Sequence, residues 1–184
     1  MQTQIDIEKL KYPVGKFSPP AAFSMGEVKK FITQMEVLPA YLEETVKGLS
    51  EGELLFCYRP GGWNIKQIVH HVADSHLNFH TRLRLTLTEE KPTIKPYDEN
   101  AWAKLVDGNN NDLSFSLHII KGVHARAVEL LKTLNEKDFA REYHHPENKK
   151  DFNLFWLLDL YAWHGKHHVE QIKVALQHKF KSNL

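Results

Sequence analysis

The sequence predicts an all-α fold, a four-helix bundle with long connecting loops. Three observations carry the fold class. Four long stretches place apolar residues at helical spacing, strand signals are few, and no internal repeat occurs in the 184 residues. A chain of this length suits one domain, spanning residues 1–184, with a core large enough to need no staples.

Residues 1–23 form an expected irregular arm, because Pro13, Gly15, Pro19 and Pro20 exclude a helix. Ser24 and Glu27 fit a capping box. Val28, Phe31, Ile32, Met35, Leu38, Leu42, Val46 and Leu49 then recur at helical spacing, with Pro39 expected to kink or split the helix. Tyr58-Arg59-Pro60-Gly61-Gly62 reads as a tight turn. The second helix starts near Trp63-Asn64 and runs to about Leu87, with Ile65, Ile68, Val69, Val72, Phe79 and Leu83 inward. Tyr97-Asp98-Glu99-Asn100-Ala101-Trp102 is expected to form a short helix capped by Asp98. The third helix covers about Asp112 to Leu134. After a long connection centred on Tyr143-His144-His145-Pro146, the fourth covers about Phe152 to Lys179. Connections of that length are more often functional than idle, and we expect them to roof one end of the bundle.

Composition narrows the function classes. The formal net charge is +1, which gives no reason to expect nucleic acid or an anionic membrane as partner. No apolar run approaches the ~20 residues that span a bilayer. The polar stretch Met1–Pro13 has no h-region of a signal peptide, so the expected location is cytoplasmic. The single cysteine, Cys57, sits in an apolar run and reads as a packed residue. Histidine is the outlier, with twelve copies. Metal chemistry here would use nitrogen and oxygen ligands, with zinc ahead of nickel and iron.

His164 and His168 stand four apart, so on a helix both imidazoles share one face and can converge on one metal. That pair needs a third ligand. On the helical wheel His70 and His167 point to solvent, His71 lies on the shoulder of the second helix's apolar stripe, and His76 and His124 point inward. The wheel leaves His71 and His76 tied as the third ligand. Burying so many imidazoles without partners costs a few kcal/mol each, a cost that a metal or a hydrogen-bonded cluster removes.

The segment from Trp63 to His76, with its His-apolar-Ala-Asp step at His71-Val72-Ala73-Asp74, resembles the second-helix motif of the DinB-like four-helix-bundle superfamily. Trp163-His164-Gly165-Lys166-His167-His168 resembles its HxxxH motif. Tyr12-Pro13-Val14-Gly15, Tyr58–Trp63, Pro96–Trp102 and Tyr143–Pro146 are similar to blocks of the YfiT-like branch, a branch named for metal-dependent hydrolysis. One departure is the stretch between Trp102 and His124, which is shorter and richer in asparagine than the branch's pattern. The resemblance implies a divalent metal, one per chain, held by His71, His164 and His168. It also implies a homodimer.

Three neutral imidazoles would leave the metal its full charge and at least one open position, the composition of a catalytic zinc site. A protease of the HExxH type is excluded in its usual form, since Gly165 stands where the glutamate would be. Candidates for a catalytic base are Asp74, Asp98, His76 and His145, while Arg59 and Trp63 are expected at the rim. The expected activity is hydrolysis of a small-molecule substrate. Metal-dependent transfer of a low-molecular-weight thiol, as in members of the wider superfamily, and a purely structural metal are the alternatives.

Overall fold

The computed structural model describes residues 6–181. Its long helices are α2 (Met25–Val46), α4 (Ile65–Thr88), α6 (Ser114–Leu131) and α8 (Leu154–His178). Short helices lie in the N-terminal arm, α1 (Ile7–Lys11), and in the connections, α3 (Glu51–Leu54), α5 (Glu99–Trp102) and α7 (Glu136–Phe139). Strand β1 (Phe56–Cys57) pairs antiparallel with β4 (Phe180–Lys181), and β2 (Glu142–His145) forms a hairpin with β3 (Lys150–Asn153). No helix among the described residues is long and apolar enough to cross a membrane.

Local chemistry accounts for the helix starts. The Asn64 side chain accepts from the Gln67 N–H while Gln67 returns a bond to the Asn64 backbone, a complete capping box for α4. Asn153 caps α8, and Asp98 caps α5 as expected. Ser24 caps α2 through the Gly26 N–H, but Glu27 turns outward to Lys30, so the expected capping box is only half made.

Three other expectations are corrected. The arm is not wholly irregular: upstream of Pro13 nothing forbids a helix, and α1 forms there with Asp6 capping Glu8 and Lys9. Residues 1–5 of the arm lie outside the described residues. Pro39 does not split α2, which runs continuously from Met25 to Val46. The long connections lie along the flank of the bundle rather than over one end, as the lining of the site below shows.

The helices pack in the ring order α2–α8–α4–α6. Contacts along each pair give their directions. Phe31 meets Phe155 and Tyr41 bonds Glu170, so α2 and α8 are parallel. His70 bonds Ser116 and His76 bonds His124, so α4 and α6 are parallel. His71 meets His168 and Phe79 meets Tyr161, so α4 and α8 are antiparallel. Two adjacent parallel helices joined in sequence demand a crossover as long as the helix itself, and this explains the length of the α4–α6 connection.

The core falls into two apolar clusters. One holds Phe31, Met35, Phe79, Ala127, Phe155, Leu158 and Tyr161; the other holds Leu38, Leu42, Ile65, Ile68, Val72, Ile120, Val169 and Ile172. On α6 and α8 the boundary between them is occupied by His124 and by the His164–His168 turn. On α4 it is occupied by His76, with His71 beside it. An imidazole layer therefore crosses the middle of the bundle.

Candidate metal centre

Gly165 decides how α8 sits against α2. A Cβ at that position would run into the Leu38 side chain, so the two helices approach closely only because residue 165 has none. The second position of the HxxxH turn thus faces α2 and the core. His164 and His168, on the neighbouring arc, face α4.

There the His71 ring closes the set. One ligand atom from each of His71, His164 and His168 lies within 4.8 Å of the others. His71 Nε2 and His164 Nε2 are 3.2 Å apart, close to the about 3.3–3.4 Å edge of a tetrahedron with metal–nitrogen bonds of 2.0–2.1 Å. All three are neutral imidazoles at pH 7. Burial lowers the His71 pKa to about 4, and burial with the neighbouring imidazoles holds His164 and His168 well below the usual value. Neutral imidazole is the ligand form, so the donor set suits a divalent cation.

His168 is oriented by Gln171. Its Nδ1 lies 2.9 Å from Gln171 Oε1, and the Gln171 Nε2 donates to the Lys11 carbonyl at 2.9 Å. The carbonyl can only accept, so the amide orientation is determined, and Gln171 Oε1 must receive the Nδ1 proton of His168. The lone pair of His168 is then on Nε2. Gln171 was not singled out in the sequence; its only signal was its place three residues beyond His168 on the same helix.

A cavity of about 420 Å³ opens on all three histidines. Trp63 and Trp163 wall it, Lys11 and Arg59 bring positive charge, and Glu99 brings a carboxylate. The tight turn at Arg59–Gly62 delivers Trp63, whose ring sits 4.5 Å from that of His71. A second cavity, of about 540 Å³, shares His164 and Glu99 with the first and is otherwise lined by Tyr97, Asp98, Arg82, His145 and Tyr161 among others. The α4–α6 crossover and the β2–β3 hairpin therefore flank the histidines from the side.

The candidate bases separate. Asp98 lines the second cavity but spends Oδ1 on capping the Ala101 N–H. His145 lines the same cavity, its pKa lowered by burial and then by Arg82. Asp74 lines neither cavity, and burial followed by the Asp107 carboxylate raises its pKa. His76 is fully buried, with its two nitrogens directed at His124 and His164, so it opens on neither cavity. Glu99 lines both cavities; partial burial and then the Asp98 carboxylate raise its pKa. The block from Pro96 to Trp102 stands out in the sequence, but nothing in it marks Glu99 above Asp98. His144 is held in the hairpin by Asp151 at 2.7 Å, away from the site.

Two expectations of exposure fail. His70 and His167 are 8% and 6% exposed. His70 lies under the end of the crossover, bonded to Ser116 Oγ at 2.8 Å and the Asn110 carbonyl at 2.9 Å. His167 lies beneath the arm, stacked on Trp163 and close to Tyr12. The wheel saw one buried direction, whereas loops cover a second.

A four-helix bundle with one crossover and three convergent histidines in its middle layer defines a class of helical bundle able to hold a metal ion. The chain belongs to the DinB superfamily, whose family model matches residues 34–172. Within it the relatives are YfiT-like. The chain is 42% identical over 163 residues to a Bacillus subtilis protein named "Putative metal-dependent hydrolase YfiT", covering 89% of this chain and 92% of that one. It is 41% identical over 166 residues to a Geobacillus thermodenitrificans protein named "Putative metal-dependent hydrolase", covering 90% and 93%. The solved structure of Bacillus subtilis YfiT, described as having an unusual four-helix bundle topology, superposes with a TM-score of 0.89 at 40% identity, covering 95% of this chain and 99% of that one.

Proposed function

We propose that this protein is a metal-dependent hydrolase of a small molecule. The observation that carries the reading is that the three neutral histidines converge on the wall of a cavity sized for a metabolite. A divalent ion held by His71, His164 and His168, zinc ahead of nickel or iron, would supply Lewis acidity and lower the pKa of a coordinated water towards about 7. Elemental analysis of untagged protein, expected to find about one such ion per chain, identifies the metal.

The chain's own groups supply the rest. Glu99, the carboxylate common to both cavities, takes a proton from the attacking water and returns it to the leaving group, and its raised pKa suits that exchange. Arg59 and Lys11 attract the anionic part of a substrate. Trp63 and Trp163 limit the access of bulk water. An ester and amide panel tests the reading: turnover by the metal-loaded protein should fall at least tenfold in Glu99→Gln with metal content unchanged. No turnover across the panel would overturn it.

One observation favours a second reading. Two cavities meet at His164 and Glu99, an arrangement that suits two substrates. Transfer of a small thiol to an electrophile would use both. Turnover of a chlorinated aromatic or epoxide that depends on added thiol and is lost in His164→Ala would select it.

We also propose a homodimer. Trp102, Leu105, Val106, Phe115 and Ile119 expose apolar surface within one stretch, Val106 at 93%. A light-scattering mass near the 21.4 kDa of one chain would refute the dimer.

A further inference from the structure

The imidazole layer continues past the three convergent histidines into the core. His164 Nδ1 lies 3.4 Å from His76 Nε2, His76 Nδ1 lies 2.8 Å from His124 Nε2, and His124 Nδ1 lies 2.6 Å from the Met35 carbonyl oxygen. The rings of His76 and His124 stack at 4.8 Å between centroids. His76 is 0% and His124 is 1% exposed, so water does not compete for these bonds.

The carbonyl end gives the chain a direction. In an α-helix the Met35 carbonyl would accept from the backbone N–H four residues on, which is that of Pro39, and proline has none. The freed oxygen can only accept. His124 must therefore donate from Nδ1, and as a neutral ring it accepts at Nε2. His76 in turn must donate from Nδ1 and accept at Nε2. His164 must then donate from Nδ1, which leaves its lone pair on Nε2, the nitrogen 3.2 Å from His71 Nε2.

We propose that Pro39, the Met35 carbonyl, His124 and His76 form a one-directional hydrogen-bond relay that holds His164 in the Nδ1–H tautomer and aims its Nε2 lone pair at the metal site. His76 and His124 are positioning residues, and the relay rests on the reading of His164 as a ligand. The device parallels the bond from His168 to Gln171 but reaches across three helices to a backbone defect in a fourth. It gives the proline within α2 a role: the donor missing there is what sets the polarity of every ring that follows. Partners that fix the tautomer of a ligating histidine typically contribute about 10–100-fold in metal affinity.

The test combines imidazole ¹H–¹⁵N long-range correlation spectra with zinc affinity from chelator competition, with thermal unfolding as the check on folding. In the metal-free wild type, His124, His76 and His164 should all show the Nδ1–H tautomer. His124→Leu, which removes no group in contact with His164, should give mixed tautomers at His76 and His164 and about 10–100-fold weaker zinc binding. His76→Leu should weaken binding at least as much, whereas His76→Gln, whose Oε1 can accept in place of Nε2, should recover to within about threefold of wild type. An Nε2–H tautomer at His76 or His164 in the metal-free wild type would overturn the relay, as would unchanged affinity and tautomers in a folded His124→Leu. The wild-type spectra decide the matter even where a variant does not fold. A wild type that shows the stated tautomers yet binds no zinc would refute the metal site and leave the relay standing.

Discussion

His71 and His124 invite comparison. Both are buried imidazoles facing the same middle layer, and burial lowers the pKa of each to about 4. They differ in what completes them. His124 bonds a backbone carbonyl on one side and His76 on the other, so its hydrogen-bonding capacity is used within the protein. His71 shares its Nε2 position with His164 and sits on the wall of a cavity. Burial alone does not make a histidine a ligand. What distinguishes the two is whether the protein closes the hydrogen-bond chain or leaves a lone pair facing open space.

The largest expected effect comes from cutting the open group. His168→Ala should reduce zinc affinity by more than the about 100-fold associated with loss of an outer partner, because it removes a donor itself. Chelator competition measures it, and a change below tenfold would place His168 with the closed histidines. The fold should survive, since His168 lines the cavity and its loss leaves the apolar residues of both clusters in place.

Acidification should act on both groups in the metal-free protein. His71, His124 and His167 each have a folded pKa of about 4 against an ordinary value of 6.5, with burial the first cause. The unfolded chain therefore binds more protons between those values. Stability is full above about pH 6.5 and falls as pH drops towards 4, by about 1.4 kcal/mol per pH unit for each group well inside the window. Denaturant midpoints should be flat between pH 7 and 8 and fall between pH 6.5 and 5. Midpoints unchanged across that lower range would show that these rings are not held neutral by burial. Zinc should lose affinity over the same range, because protons and metal compete for the same nitrogens.

The smallest expected effect sharpens the boundary between the groups. His167 lines the cavity and is buried under the arm, but its ring stacks on Trp163 rather than joining the convergent set. Its Nδ1 is a buried nitrogen without a hydrogen-bond partner. His167→Phe keeps the stacking and removes that unsatisfied group, so stability should stay level or rise slightly while zinc affinity stays within about threefold. A loss beyond tenfold would make His167 part of the site.

The sequence by itself determined the four long helices, through apolar spacing, and the short α5, through its Asp98 cap, because these depend on contacts within a few residues. It also placed His164 and His168 on one face, since four residues make about one turn. It could not choose between His71 and His76 by periodicity, and it sent His70 and His167 to solvent. Those outcomes depend on neighbours distant in the chain: the arm over His167, the crossover over His70, and above all the carbonyl of Met35 and the ring of His124 beyond His76. A helical wheel records the direction in which a side chain points. Only the packed bundle decides what waits there, because a hydrogen-bond chain through α2, α6, α4 and α8 exists only once the four helices are in register. That register is what makes His76 an internal link and leaves His71 facing the cavity.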